Sequence, residues 1–195
     1  MVDGGPLVME AGEFARLVEG IRLTKDSRYI AIVTINAPAV RERFLAQLRA
    51  ALAGAHVGLL VVPLTREYSA MASLVAAAVT SDAFAKLAAD YGRVAVAVDW
   101  QDGAIPPEEL EDPDRTPTAL QQINLAREFF VQFPYPVVVL VPDYVHALMA
   151  KYARDFYRIR TTSFELPEVA EAARASVAQF LGSEEWTAQS REELE

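Results

Sequence analysis

The sequence has no cysteine, and among its 195 residues only two are histidine. The absence of cysteine excludes disulfides, zinc–thiolate sites, iron–sulfur clusters and thiol catalysis. No apolar run reaches the roughly 20 residues that a membrane-spanning helix needs. The N-terminus, MVDGGPLVME, lacks the basic and apolar regions of a secretory signal. We therefore expect a cytoplasmic protein that does not associate with membranes.

Positive charge is also scarce. The chain carries 27 acidic and 18 basic residues, a formal net charge of -9, and its pI is about 4.8. A protein that binds duplex nucleic acid needs a positive surface that displaces counterions from the phosphates. The one basic cluster is interpreted as a solvated helix end whose cations complement the helix dipole; its members are Lys151, Arg154, Arg158 and Arg160. Nucleic acid is not expected as a partner.

Two glycine-rich phosphate-binding motifs are missing. The Walker A loop, G-x-x-x-x-G-K-[ST], wraps phosphates with backbone N–H groups and neutralises them with its lysine. Here the loop after the first predicted strand, residues 35–39, is INAPA, which contains neither glycine nor lysine. Pro38 also removes an N–H from the start of the following helix. The dinucleotide motif G-x-G-x-x-G occurs nowhere in the sequence, so we expect no cofactor.

Apolar runs alternate with amphipathic segments along the chain, and 52% of its residues are hydrophobic. Strands that are apolar on both faces and alternate with helices are typical of a parallel sheet covered on two sides. The patterns predict strands at 28–35, 57–62, 94–98 and 136–141 with a short fifth one within 157–166, and helices at 10–23, 38–54, 67–79, 82–91, 117–132, 143–154 and 167–181. We predict an α/β three-layer sandwich with a mainly parallel sheet of about five strands.

The same patterns predict one domain over residues 10–181. Residues 1–9 are predicted to be disordered or extended, and residues 182–195 to form a polar tail or linker. Between the third strand and the next helix, residues 101–117 are rich in proline and acidic side chains. We interpret them as a mobile acidic loop whose run EELEDPD, residues 108–114, is solvated.

Asp99 follows the predicted strand VAVAV and raises a specific question. In many nucleotide hydrolases an aspartate at the end of such a strand holds magnesium. The alternative is that Asp99 simply ends the strand, solvated or bonded to nearby backbone, and without a phosphate loop we favour this alternative. If a ligand binds, the carboxyl ends of the strands are the expected place. The candidate ligand-binding residues are Asn36, Arg41, Asp99 and Arg160.

Acid–base chemistry has few candidates. His56 is interpreted as a surface residue at the start of a strand, and His146 as a helix-surface or half-buried residue. No G-x-S-x-G elbow follows a strand, so a Ser-His-Asp site is not expected. Carboxylates on a flexible loop are not held at catalytic distance. We predict no catalytic residue and no metal site.

A polar motif lies on the helix predicted at 117–132. In INLARE, Asn124 and Arg127 are three residues apart and project from one side, beside an apolar face; Glu128 follows them. Buried polar groups usually have structural partners. We therefore interpret Asn124, Arg127 and Glu128 as a structural motif that ties this helix to the sheet edge, with ligand binding as the alternative.

Several short motifs resemble the α/β module of bacterial tetratricopeptide-repeat and NLR-like (STAND-type) signalling proteins. That module has an N-x-x-R-E helix, a strand of the form P-L-V-L-W-L-P-E and an A-P-D-F-W-x-W-R-S-x-x-F element. The first two resemble Asn124 to Glu128 and Pro136 to Asp143. The third is matched by Asp155, Phe156, Arg160 and Phe164, while Arg154 and Ile159 depart from it.

The resemblance covers about residues 28–166. It implies a domain shaped like a P-loop NTPase that has lost its phosphate loop. It also implies a catalytically inert regulatory or protein-interaction role, with a protein partner or a helical-repeat domain. The alternative function is a nucleotide- or anion-binding domain with weak or no hydrolysis.

Overall fold

A computed structural model describes residues 8–24, 28–67, 69–111 and 115–166 of the chain. Its helices are α1 (Ala11–Leu23), α2 (Pro38–Gly54), α3 (Met71–Ala78), α4 (Asp82–Tyr91), α5 (Pro107–Leu110), α6 (Thr118–Leu125), α7 (Arg127–Gln132), α8 (Asp143–Tyr152) and α9 (Arg154–Arg158). Its strands are β1 (Ile30–Thr34), β2 (Gly58–Leu64), β3 (Val94–Trp100), β4 (Val137–Val141) and β5 (Thr162–Glu165).

Among the described residues, the five strands form one sheet in the order β2-β3-β4-β1-β5. Every neighbouring pair is parallel, with Ile30 opposite Val137 and Ala31 opposite Thr162. Because the strands are parallel, their carboxyl ends meet at one edge of the sheet, called here the carboxyl edge. The predicted α/β fold with a parallel sheet of five strands is confirmed.

Side chains of successive strand residues enter two different cores, since they point to opposite faces of the sheet. Ile30 and Ile32 join buried residues of α3, α6, α8 and α9 on one face. Ala31 and Val33 join buried residues of α1 and α2 on the other. The sheet is therefore the middle layer of three, and the run of apolar residues in each strand is explained by burial on both sides.

The acidic segment 101–117 is more ordered than the sequence suggested. Ala104 and Ile105 are buried, and α5 follows them. Glu109 is only 9% exposed, and its carboxylate accepts hydrogen bonds from the backbone N–H and the hydroxyl of Thr118, both at 2.7 Å. The interpretation of this acidic run as solvated was wrong at Glu109, which caps the start of α6.

Two predicted helices are interrupted in the structure. The helix predicted at 117–132 breaks at Ala126, which separates α6 from α7. The helix predicted at 143–154 ends at Tyr152, and the short α9 follows it. Each break leaves backbone N–H and C=O groups without partners inside a helix. At the start of α9 the side chain of Asn124 accepts hydrogen bonds from such N–H groups, as described below.

Parts of the predicted terminal segments lie outside the described residues, including the helix at 167–181 and the tail at 182–195. Within 1–9 only Val8 and Met9 are described, and Met9 is buried in the core beneath α1 and α2. In the described part of the chain no single helix is long and apolar enough to cross a membrane; α3 and α4 meet the length and composition criteria only as a pair bent by 60°.

Candidate functional site

Two of the predicted site residues meet at the carboxyl edge. Arg41 lies in the first turn of α2, which Pro38 begins at a position where a missing N–H costs nothing. Its side chain is only 4% exposed. One guanidinium nitrogen, Nη1, lies 3.5 Å from Oδ1 of Asp99. The side chain of Arg41 therefore extends from α2 and places its positive charge beside the end of β3.

The other guanidinium nitrogen of Arg41, Nη2, completes the group. It donates to the carbonyl oxygen of Ile35 at 3.5 Å and lies 3.7 Å from Oδ1 of Asp102. Asp102 is itself well exposed, so its charge is screened by solvent. The guanidinium thus sits between the residue after β1 and the residues at the end of β3.

Asp99 lies inside β3 rather than after it, and its side chain is 12% exposed. Gln101 donates from Nε2 to Oδ2 of Asp99 at 2.5 Å. Burial raises the pKa of the Asp99 carboxyl, while Arg41 and the Gln101 hydrogen bond oppose that rise. The interpretation of Asp99 as a solvated residue at a strand end was wrong, because Arg41 and Gln101 hold it in a buried site.

The surroundings of Arg41 are acidic. Asp102 and Glu42 both add to the rise in the pKa of Asp99. The pKa of the Tyr144 hydroxyl is raised mainly by burial and also by the carboxylates of Asp102 and Asp143. Arg41 opposes this rise. One buried cation is therefore surrounded by several carboxylates, an arrangement that disfavours the approach of a further anion.

Asn36 takes part in this edge as a structural residue. Its side-chain oxygen accepts a hydrogen bond from the backbone N–H of Asp143 at 2.9 Å. Asp143 is the first residue of α8, which Pro142 precedes and which has no side-chain cap of its own at that position. Asn36 therefore supplies the missing acceptor for the helix N-terminus, which would otherwise be available to an anion.

Arg160 does not join the other three candidates. It precedes β5, at the edge where the strands begin. Its guanidinium donates to the Tyr157 carbonyl oxygen at 2.6 Å and to the Ser163 hydroxyl at 2.9 Å, and it stacks 3.6 Å from the centre of the Tyr157 ring. The structure thus groups Asn36, Arg41 and Asp99 and separates Arg160 from them.

The INLARE motif divides into two structural units. The Asn124 side-chain oxygen accepts from the backbone N–H groups of Asp155 at 2.8 Å and Phe156 at 3.2 Å, which caps α9. Arg127 instead forms an ion pair with its neighbour Glu128. Asn124 is bonded to α9, and the contact of the motif with the sheet edge that was predicted from the sequence is not seen among the described residues.

The two hydrogen-bond partners of His146 were not predicted from the sequence. Its Nδ1 lies 3.1 Å from the Thr34 hydroxyl oxygen at the end of β1, and its Nε2 lies 3.0 Å from the Tyr157 hydroxyl oxygen on α9. Thr34 and Tyr157 are far from His146 in the chain, and no local pattern indicates these contacts. The prediction that His146 is half-buried on a helix does agree with the structure.

Throughout residues 8–24, 28–67, 69–111 and 115–166, no group of three or more histidine, aspartate or glutamate side chains could hold a metal ion. At the carboxyl edge the carboxylate of Asp99 is engaged by Arg41 and Gln101.

No protein-family model and no curated protein matches this chain. Among solved structures, the chain is similar to the ORC2 protein of Aeropyrum pernix in ADPNP–ADP complexes, at 12% identity and a TM-score of 0.44 over 84% of this chain and 50% of that one. The ADP form of ORC2 gives 10% identity and a TM-score of 0.47 over 85% of this chain and 50% of that one. The Aeropyrum pernix ORC1 protein in complex with DNA gives 14% identity and a TM-score of 0.43 over 86% of this chain and 48% of that one.

The chain spans about half the length of these ORC proteins. Helices cover both faces of its five-stranded parallel sheet. The fold is α/β, with the strand order β2-β3-β4-β1-β5.

Proposed function

We propose that this chain is a catalytically inert, P-loop NTPase-like α/β domain that acts in protein–protein regulation. The observation that carries the proposal is the buried contact between Arg41 and Asp99 at the carboxyl edge. In a working nucleotide hydrolase the corresponding edge holds phosphate and magnesium. Here a cation of the chain pairs with a carboxylate of the chain at 3.5 Å, so the charge of each side chain is compensated by the other.

The loop after β1 supports the same proposal. A phosphate cradle needs several backbone N–H groups that point at the ligand. In the sequence INAPA, residues 35–39, Pro38 has no N–H. The backbone N–H groups of Val40 and Arg41, in the first turn of α2, already donate to the carbonyl oxygen of Ala37. The Asn36 side chain, which could face a ligand, is bonded to Asp143 instead.

Electrostatics adds a further argument. A nucleoside triphosphate brings several negative charges to its site. At the carboxyl edge it would meet Asp99, Asp102 and Asp143, with Arg41 as the buried cation already shared by the first two. Repulsion between these like charges disfavours triphosphate binding.

A protein partner or an adjoining helical-repeat domain is part of the proposal. The resemblance of the segments around Asn124 to Glu128 and Pro136 to Asp143 to the signalling module supports such a partner. The net charge of -9 supports a protein partner over a nucleic acid.

The test is isothermal titration calorimetry with ATP and ADP, with and without magnesium, on the wild type and on Asp99→Asn. We expect no binding heat at millimolar nucleotide and no release of phosphate from either protein. Thermal shifts across a nucleotide panel should be absent as well. Binding in the micromolar range that requires magnesium and is lost in Asp99→Asn would contradict the inert role.

Anion binding is the second candidate, and one observation favours it. Within the described part of the chain, the buried Nε of Arg41 has no hydrogen-bond partner, so the guanidinium retains one unused donor. An anion smaller than a nucleotide could approach that donor. Titration with inorganic phosphate and with sulfate tests this candidate, with Arg41→Met as the variant expected to lose any binding and the exposed Arg43→Met as its control.

A further inference from the structure

His146 connects three elements of the fold. It lies on α8, and its two ring nitrogens face the Thr34 hydroxyl at the end of β1 and the Tyr157 hydroxyl on α9, at 3.1 and 3.0 Å. Thr34 is only 1% exposed, so its hydroxyl has no access to bulk water as an alternative partner. The imidazole therefore holds the end of a central strand and a surface helix together.

The chemistry of the ring makes this connection sensitive to protonation. Neutral imidazole has one donor nitrogen and one acceptor nitrogen, so one of the two hydroxyl groups donates to it and the other accepts from it. Imidazolium has two donors. After protonation, the hydroxyl that donated has lost its acceptor, whichever tautomer was present. At least one of the two hydrogen bonds must then rearrange.

Tyr157 transmits this change toward β5. Its ring stacks against the guanidinium of Arg160 at 3.6 Å, and its carbonyl oxygen accepts from the same guanidinium at 2.6 Å. Arg160 also donates to Ser163 in β5 at 2.9 Å. Beside it, Thr161 exchanges hydrogen bonds with Ile30, through its N–H at 2.7 Å and its hydroxyl at 3.1 Å. These contacts attach the start of β5 to β1.

β5 is easily released for geometrical reasons. In the described part of the chain it is an edge strand of four residues, and β1 is its one partner there. Short edge strands have few ladder hydrogen bonds and belong to the least stable part of a sheet. Weakening of the hydrogen bonds and the stacking contact of Tyr157 and Arg160 is therefore enough to change how often β5 separates from β1.

The charged groups around His146 act in opposite directions. Burial is the largest cause that lowers the pKa of His146; Arg160, which precedes β5, lowers it further, and Glu165 of β5 raises it. Tyr157 is the titratable group that faces the ring from α9, and β1 contributes the neutral Thr34. A proton on His146 therefore attracts Glu165 of β5 and, more weakly, repels Arg160, so the release of β5 rests on the change in hydrogen bonding and not on these charges.

We propose that the cluster of Thr34, His146, Tyr157 and Arg160 is a proton-sensitive latch: protonation of His146 loosens Tyr157 and Arg160 and releases the edge strand β5 from β1. The neutral latch keeps β5 paired. Release uncovers the backbone groups of β1 between Ala31 and Thr34, which pair with β5 in the closed sheet. The latch does not involve Arg41 or Asp99, so it stands or fails independently of the role of the carboxyl edge.

Hydrogen–deuterium exchange of the β5 amides is the test. After correction for the pH dependence of intrinsic exchange, protection of residues 162–165 should fall severalfold between about pH 7 and about pH 5. Protection of β4, in the interior of the sheet, should change much less. β4 therefore reports whether the whole domain remains folded.

Three variants separate the latch from general effects of acid. His146→Gln cannot be protonated and should give β5 protection that is the same at both pH values. His56→Gln changes the other, exposed histidine and should behave as the wild type. Tyr157→Phe removes the hydroxyl that passes the change on, so β5 should lose its pH dependence while the His146 ring still titrates by NMR.

Contrary results are clearly defined. If β5 and β4 lose protection in parallel, or if His146→Gln keeps the pH dependence of the wild type, the latch does not exist. A loss of pH dependence in His56→Gln would also contradict it. If Tyr157→Phe preserves the pH dependence of β5, His146 does not act through Tyr157.

Discussion

A buried guanidinium is costly unless its charge is compensated, because removal from water costs several kcal/mol per ion. Arg41 is compensated mainly by Asp99, since its other carboxylate partner, Asp102, is exposed. The carboxylate of Asp99 has the same dependence on Arg41, as the direction of its pKa shows: burial disfavours its charge and the arginine offsets part of that penalty. Neither residue is expected to tolerate the loss of the other.

A double-mutant cycle measures this dependence. Arg41→Met leaves Asp99 buried without its cation and should lower the free energy of unfolding by about 3 kcal/mol, as for other broken buried pairs. Arg41→Met combined with Asp99→Leu removes both charges and should recover most of that loss. Urea denaturation of the wild type, Arg41→Met, Asp99→Leu and the double variant gives the four free energies of unfolding that the cycle needs. Arg43→Met, an exposed position on the same helix, should change stability by less than about 0.5 kcal/mol.

If the double variant loses the sum of the two single effects, Arg41 and Asp99 do not interact in the folded protein. The proposal for the carboxyl edge would then lose its main support.

At the level of single residues, the sequence predicted position better than contact. Asn36, Arg41 and Asp99 could be grouped because ligand-facing residues of parallel sheets follow the carboxyl ends of the strands. Their hydrogen bonds to Asp143 and Gln101 depend on how helices and strands meet in space, which no local pattern encodes. Arg160 was grouped with them incorrectly, because it precedes a strand instead of following one.

At the level of elements, α1 packs against the chain entering β1 through an unusually close contact. A Cβ placed on Gly20 would lie 2.5 Å from the ring and the hydroxyl oxygen of Tyr29. Tyr29 is buried, and burial raises the pKa of its hydroxyl to about 12. Glycine in a helix usually costs stability relative to alanine. Here it allows the helix to approach the tyrosine.

Gly20→Ala should therefore destabilise the protein, by about 1–3 kcal/mol, as expected for overpacking. Gly12→Ala is the matched control on the same helix. A Cβ there meets only a Glu10 side-chain oxygen at 3.3 Å, which can move. It should stabilise the protein by about 0.5–1 kcal/mol, the usual gain of alanine over glycine in a helix. Thermal or urea unfolding of both variants checks the difference; equal effects of the same sign would contradict the packing argument.

The helices with strong terminal signals were predicted well. Ser81 caps α4 by accepting from the Phe84 N–H, and Gly92 ends it in the left-handed conformation, both as expected from residue type. The start of α3 was predicted at 67 but lies at Met71, and β2 continues through Pro63 to Leu64, beyond its predicted end at 62. Pro63 is tolerated because β2 lies at the edge of the sheet. The break at Ala126 has no sequence signal, since LAREFF is a good helical sequence.

At the level of the whole molecule, the net charge of -9 opposes compaction, because like charges repel more strongly in the folded chain than in the unfolded one. Added salt screens exposed charges and has much less effect on buried pairs such as Arg41 and Asp99. Near the pI of about 4.8 the net repulsion disappears.

Raising sodium chloride from low to moderate concentration at neutral pH should therefore raise the melting temperature by a few degrees. The same addition near the pI should have little effect, and that measurement is the internal control. A fall in melting temperature with salt at neutral pH would show that exposed ion pairs, such as Arg66 with Glu108, outweigh the general repulsion.

The order of strands in the sheet has a consequence for how the chain folds. β2 and β3 are neighbours in sequence and in space, but among the described strands β1 pairs with β4 and β5, roughly a hundred residues further along. At typical rates of synthesis, β1 leaves the ribosome about 5–20 s before its first partner strand. During that interval the four apolar residues of β1, Ile30 to Val33, have no partner strand to join. In the folded protein α1 and α2 pack on one face of β1, and both leave the ribosome before β4, so these two helices can cover that face during the interval.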